Sequence, residues 1–254
     1  MHLQPLPALT DNYIWTLADS QGRALVVDPG DAAPVLRAAD AGLVPVAVLL
    51  THHHPDHIAG TAELLRRWPD LPVHAPVDER IDLPCRRVVG GDRVSVLEWS
   101  FDVLEIPGHT RSHIAYVGHG LVFCGDTLFS LGCGRMFEGT PAQMLASLDK
   151  LAALPAGTRV CCGHEYTLAN AAFARVVDPD NPALRRRTED ATAMHDTGRP
   201  TLPSTLADEL AANPFLRVDD PTIRAAVARH VGGVPGDRID TFAGLRRWKD
   251  GFRG

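Results

Sequence analysis

The residues best able to do chemistry in this 254-residue chain crowd into one segment, Thr51-His52-His53-His54-Pro55-Asp56-His57. Imidazole nitrogens and carboxylate oxygens at that density form a donor set for a first-row divalent metal. In an extended stretch residues i and i+2 point to the same side, so His52 and His54 can converge on one ion while His53 faces away. Asp56 and His57 fall where the chain turns towards the next helix, and can face a neighbouring ion. The chain has 12 histidines, so a chance cluster is the alternative. An HxHxDH pattern directly after an apolar strand weighs against chance.

Three later segments repeat the design: Pro107-Gly108-His109-Thr110, Gly125-Asp126-Thr127 and Gly163-His164-Glu165. Each follows an apolar run with a small residue and then a potential ligand. One such junction alone is ordinary turn chemistry. Four in one chain reinforce one another, because α/β sheets place ligands at the carboxyl ends of strands. Asp28, in Val27-Asp28-Pro29-Gly30, reads two ways: as a turn former, or as a carboxylate accepting a hydrogen bond from a ligand histidine and fixing its tautomer. For His113 a structural role is the stronger reading. No G-x-S-x-G nucleophile motif is present. The five cysteines (Cys85, Cys124, Cys133, Cys161 and Cys162) contain no CxxC pair, and nothing marks Cys133 as reactive.

The elements that must position these residues follow from the apolar pattern. Residues 24–27, 46–50, 101–106, 121–124 and 158–161 read as strands. Helical spacing and good helix formers mark 32–41, 61–68 and 141–154. From about residue 168 the strand signal disappears, and 168–177, 182–195, 205–212, 221–231 and 237–249 favour helix. Asp220-Pro221 supplies an N-cap followed by proline at the first helical position. The expected architecture is α/β: a layered sandwich over residues 1–167, followed by a smaller, mainly helical domain over 168–254.

The hydrophobic fraction of 45% and charged fraction of 22% are those of a packed globular protein. A net charge of −6 argues against nucleic acid as a partner. No apolar run reaches the roughly 18 residues of a membrane span. The start, Met1-His2-Leu3-Gln4-Pro5, lacks the pattern of a secretory signal, and the cysteine usage suits a reducing compartment. A cytoplasmic protein is expected.

Together these features resemble the metallo-β-lactamase superfamily, which implies an αββα sandwich. By that resemblance His52, His54 and His109 hold one ion, Asp56, His57 and His164 hold a second, and Asp126 bridges the two. Five imidazoles and two carboxylates suit zinc, iron or manganese; two zinc ions (Zn2+) per chain are the first expectation. The resemblance narrows at Gly132-Cys133-Gly134-Arg135, Phe137-Glu138-Gly139, Gly163-His164-Glu165-Tyr166-Thr167, Asn213-Pro214-Phe215-Leu216-Arg217 and Arg246-Arg247-Trp248-Lys249. These look like the glyoxalase II (hydroxyacylglutathione hydrolase) family, from Thr10-Asp11-Asn12-Tyr13 to the C-terminus.

That family resemblance implies hydrolysis of the S-lactoylglutathione thioester to glutathione and D-lactate, as in methylglyoxal detoxification; a monomer is a separate expectation that the sequence itself does not fix. A metal-bridged hydroxide is the expected nucleophile, with Asp56 and Asp126 as the catalytic carboxylates. Arg135, Arg246 and Lys249 match contacts to glutathione carboxylates, and Tyr166 and Phe137 match positions that meet the peptide. Two departures stand out: Phe137 where the family often has tyrosine, and Ser112 where Gly-His-Thr-x-Gly-His has its third glycine. The alternative within the superfamily is a glutathione persulfide dioxygenase. A nuclease fits the acidic charge balance poorly, and a non-enzymatic metal-binding module fits the complete ligand set poorly. The sequence leaves open the native metal, the preferred acyl group and the oligomeric state.

Overall fold

The computed structural model describes residues 1–253. The chain forms two compact units that interleave in sequence. The first comprises Met1–Glu105, Ser112–Gly125 and Cys161–Glu165; the second comprises Ile106–Arg111, Asp126–Val160 and the chain from Tyr166 onwards.

The first unit begins β1 (His2–Ala8), β2 (Asn12–Ala18), β3 (Arg23–Val27), α1 (Ala32–Asp40), β4 (Val44–Leu49), α2 (Pro55–Ile58), α3 (Thr61–Arg67), β5 (Val73–Pro76) and β6 (Arg86–Val88). Its first sheet runs β1-β2-β3-β4-β5-β6, antiparallel as far as β3 and parallel beyond. Parallel strands are covered on both faces and read as unbroken apolar runs. That is why 24–27 and 46–50 are legible in the sequence. Val26, Val48, Leu50 and Val73 pack with Val35 of α1 and Leu64 of α3. Each such buried side chain contributes about 1.5–3 kcal/mol.

The remaining strands of this unit are β7 (Arg93–Val96), β8 (Trp99–Glu105), β9 (Ile114–Gly118) and β10 (Leu121–Gly125), an antiparallel meander. The two sheets are joined through buried polar tips. The Tyr116 hydroxyl donates to the carbonyls of Leu50 and His74 at 3.1 and 3.2 Å. Trp15 Nε1 donates to the Cys162 carbonyl at 2.8 Å.

The second unit contains β11 (Leu128–Phe129), β12 (Gly132–Cys133), α4 (Pro141–Ala152), the start of β13 (Arg159–Cys162), α5 (Thr167–Val177), α6 (Pro182–Asp196), β14 (Ser204–Thr205), α7 (Leu206–Ala212), α8 (Pro221–Val231) and α9 (Arg238–Gly251). Asp220 caps α8 by accepting from the Thr222 amide at 2.8 Å, with Pro221 in the first turn. Thr140 and Gln143 form a capping box on α4. Small residues let helices approach: a β-carbon on Gly244 of α9 would lie 2.7 Å from Val227 of α8.

All five helices expected after residue 168 form. The loss of strand signal there is corrected by β14, which pairs with β13 through Arg159↔Thr205 and Val160↔Ser204. Two residues are too short to carry a period, and Thr205 also serves as the N-cap of α7. Among the described residues no helix is long and apolar enough to cross a membrane.

Candidate metal centre

In the first unit, the apolar run of β4 ends one residue before Thr51, and Asp28 receives the turn. Asp28 accepts from the Thr51 amide at 2.8 Å and from the Thr51 hydroxyl at 2.6 Å. Its backbone has φ 51°, a left-handed conformation that aspartate tolerates better than most residues. The hydroxyl proton being committed to Asp28, the Thr51 oxygen accepts from His52 Nδ1 at 3.1 Å. The other Asp28 oxygen contact is His57 Nδ1, also at 3.1 Å. Both imidazoles are thereby held as the Nδ1–H tautomer, with the lone pair on Nε2. Of the two readings of Asp28, the geometry selects the orienting carboxylate.

The rings of His52 and His54 converge, with centroids 4.7 Å apart, as the alternation requires. His54 is the N-cap of the one-turn helix α2, which brings Asp56 and His57 round to His164. Asp56, His57 and His164 each offer a ligand atom, all within 4.8 Å of one another. His164 Nδ1 lies 2.7 Å from Asp11 Oδ1, and Asn12 Nδ2 donates to Asp56 Oδ2 at 3.0 Å. The backbone leaves no slack: a β-carbon on Gly30 would lie 1.7 Å from the Asp56 carbonyl oxygen.

The second unit repeats the arrangement with His109 and Asp126. His109 Nδ1 lies 2.7 Å from the Arg135 carbonyl oxygen, and its Nε2 lies 3.5 Å from Asp126 Oδ2. Gly134 permits this approach, since a β-carbon there would lie 1.8 Å from the Asp126 carbonyl.

The donors fit a metal ion. In His57, His164 and His109 the Nδ1 faces an oxygen acceptor, and the Nε2 stands 3.3–3.5 Å from a carboxylate oxygen of Asp56 or Asp126. That spacing is longer than the usual N–H···O distance of about 2.9 Å and suits two donors sharing one cation.

A model described as "Metallo-beta-lactamase superfamily" matches residues 13–164, and one described as "Hydroxyacylglutathione hydrolase C-terminus" matches residues 165–252. A protein of Xanthomonas euvesicatoria pv. vesicatoria (strain 85-10) named hydroxyacylglutathione hydrolase is 61% identical over 254 residues, covering 100% of both chains. Among solved structures, ETHE1 from Myxococcus xanthus is 26% identical with TM-score 0.67, over 99% of this chain and 91% of that one. TTHA1623, solved in a di-iron-bound form, is 32% identical with TM-score 0.55, over 65% and 92%. The chain belongs to the hydroxyacylglutathione hydrolase family of the metallo-beta-lactamase superfamily.

The residues expected from the sequence to meet substrate lie in the second unit. Arg135 is exposed, and its Nε donates to Asp250 Oδ1 at 3.2 Å. Phe137 is 63% exposed, with its ring 5.3 Å from that of His109. Tyr166 precedes α5 and meets Phe129 edge-on at 5.2 Å. Arg246 is buried, donating from Nη1 to the Cys133 carbonyl at 2.7 Å and from Nη2 to Asp250 Oδ1 at 3.1 Å. Lys249 Nζ donates to the Ala169 carbonyl at 2.9 Å. The family motif Asn213-Pro214-Phe215 has a structural task here. Asn213 Nδ2 donates to the carbonyls of Phe129 and Gly132, and so holds the loop that leads to Arg135.

The residues left open find places as well. His53 Nδ1 is 3.5 Å from Asp78 Oδ2. His113 stacks on His52 with centroids 4.5 Å apart. Cys133 is buried, and burial pushes its thiol up to about 11, so it is not an activated nucleophile. Sequence reasoning missed Asp11, Thr51, Asp78 and Asp250. Only Asp11 and Thr51 had a signal, as an Asp-Asn turn and as the residue joining strand to histidines.

Proposed function

We infer that the chain hydrolyses the thioester of 2-hydroxyacylglutathiones such as S-lactoylglutathione, releasing glutathione and D-lactate and so serving methylglyoxal detoxification. The full-length identity of 61% to a hydroxyacylglutathione hydrolase carries this reading, because it extends through the C-terminal helices as well as the metal ligands. His52, His54 and His109 would hold one ion, Asp56, His57 and His164 the other, with Asp126 between them. Zinc is the first expectation, and the di-iron form of TTHA1623 makes iron the strongest alternative; manganese also suits the donors. When bound, such ions supply Lewis acidity and bring the pKa of a coordinated water down towards about 7.

The chain's own residues prepare that chemistry. Asp28, Asp11 and the Arg135 carbonyl fix the imidazoles of His57, His164 and His109 before any ion arrives, so no reorganisation is needed at the moment of reaction. Asp56 and Asp126 provide the anionic charge that balances the cations. The leaving group is a thiolate, whose thiol has a pKa of about 8.5, so the site needs no strong general acid. Arg135 and Lys249 present cationic groups to the glutathione carboxylates, with Phe137 and Tyr166 against the peptide. Arg246, being buried, acts mainly by holding Cys133 and Asp250. The protein acts as a cytoplasmic monomer of two domains, 1–167 carrying the metals together with Arg135, Phe137 and Tyr166, and 168–254 adding Lys249 to the substrate contacts.

An assay of S-lactoylglutathione beside a thioester without glutathione and beside glutathione persulfide tests the reading. Selective hydrolysis of the first is expected. Oxygen consumption with the persulfide, and no thioester hydrolysis, would select the dioxygenase instead.

A further inference from the structure

Arg135 is engaged at both ends. Its backbone carbonyl accepts from His109 Nδ1, and its side-chain Nε donates to Asp250 Oδ1 in the last turn of α9. The same Asp250 oxygen accepts from Arg246 Nη2, while Arg246 Nη1 holds the carbonyl of Cys133, two residues before Arg135. One carboxylate oxygen therefore gathers two guanidinium groups, and α9 grips the Cys133–Arg135 segment at two points.

The electrostatics make that oxygen matter. Arg135, Arg246 and Lys249 put three cations close together around one anion. Lys249 responds to the crowding: burial first, and the Arg246 charge second, bring its ammonium down to about 8. An exposed Arg–Asp pair alone contributes little. Here, however, the Arg246 side chain is only 6% exposed and bound to backbone, so Asp250 is anchored by a fixed cation and can aim a mobile one.

We propose that Asp250 is a positioning residue for substrate binding: it holds the Arg135 guanidinium at the place where a glutathione carboxylate is received, without touching the substrate itself. The proposal rests on the reading that Arg135 meets that carboxylate. Asp250→Asn removes the charge but keeps the shape. It should raise KM for S-lactoylglutathione about fivefold, close to 1 kcal/mol, and leave KM unchanged for a lactoyl thioester of N-acetylcysteamine, which has no carboxylate. Asp250→Glu should recover part of the loss. Metal content should stay that of the parent protein, because the contact to His109 is made by the Arg135 backbone.

Arg135→Ala distinguishes the two layers. If it leaves KM for S-lactoylglutathione unchanged, the underlying reading fails and the proposal falls with it. If it raises KM while Asp250→Asn, with a parental melting temperature, does not, Asp250 alone loses its role. Loss of metal or equal damage to both substrates in Asp250→Asn would show a general structural role and overturn the proposal.

Discussion

The Ser112 hydroxyl donates to Asp78 Oδ2 at 2.5 Å. Ser112 stands where the family pattern has glycine, so this chain has used the extra atom to tie the segment after His109 to a carboxylate. Asp78 also takes Arg80 through both oxygens at 2.8 Å. A hydrogen bond to a charged group contributes about 1.5–3 kcal/mol, and partial exposure favours the lower end. Ser112→Gly should therefore lower stability by about 1–2 kcal/mol, read as a shift in the denaturant midpoint with the slope unchanged.

Asp78 itself should leave a signature in acid. The Arg80 hydrogen bond is the largest influence on its carboxyl; burial opposes it, and the Ser112 hydroxyl, the Arg80 amide and the Arg80 charge add to it, so the carboxyl stays well below the usual range. A depressed carboxylate contributes stability above its unfolded pKa of about 3.9, and that contribution is lost as pH falls below it. Asp78→Asn should have a flatter stability profile below about pH 4 than the parent. Superimposable acid profiles would remove Asp78 from the account.

Asp11 and His164 make the second testable contact. Removing a carboxylate that orients a metal-ligating histidine typically costs about 10–100-fold in metal affinity. Asp11→Ala should lose one ion per chain to a chelator at concentrations that leave the parent loaded. Asp11→Asn, which keeps an acceptor without the charge, should fall between. Equal retention in all three would mean that His164 needs no orienting partner.

Asp126 is proposed to be shared by both ions. Metal analysis of purified protein should approach two ions per chain, and Asp126→Ala should reduce both occupancy and turnover. A fully active protein holding one ion would sink the dinuclear reading.

Lys249 should make substrate affinity depend on pH. Its pKa of about 8 means that its charge is lost as pH rises through that value. KM for S-lactoylglutathione should climb between pH 7 and 9, and Lys249→Arg should flatten the climb. Lys249→Ala should raise KM about tenfold at pH 7, with little change in kcat, because the contact is equal in ground and transition states. The same depressed pKa means that stability from this residue increases with pH between about 8 and the unfolded value near 10.4, where the unfolded chain binds more protons.

The candidate metal-binding residues stood out because each follows an apolar strand within a few residues, and strand runs such as 121–124 are apolar throughout. The tail helices were legible through caps, as Asp220-Pro221 illustrates. The antiparallel strands β1, β2 and β9 were harder. Pro5 and Pro7 interrupt β1, an edge strand where proline is tolerated, and β9 is short and flanked by histidines. Residues that act through another, such as Asp78 and Asp250, carry no local pattern. Asp250 meets Arg135 across 115 positions, and only the folded chain joins them.

The pairing of Asp11 with His164 spans 153 residues, which dates the metal centre within the life of the molecule. A ribosome that has released residues 52–57 has exposed four of the proposed ligands, yet His164 has not been translated. The last proposed ligand arrives only after about two-thirds of the message has been read, and it must then return to the first hairpin, whose strand β2 already bears the partner residue of its bridge, Asn12. The Asp56, His57 and His164 group therefore cannot be assembled until residue 164 has been made, long after residues 52–57.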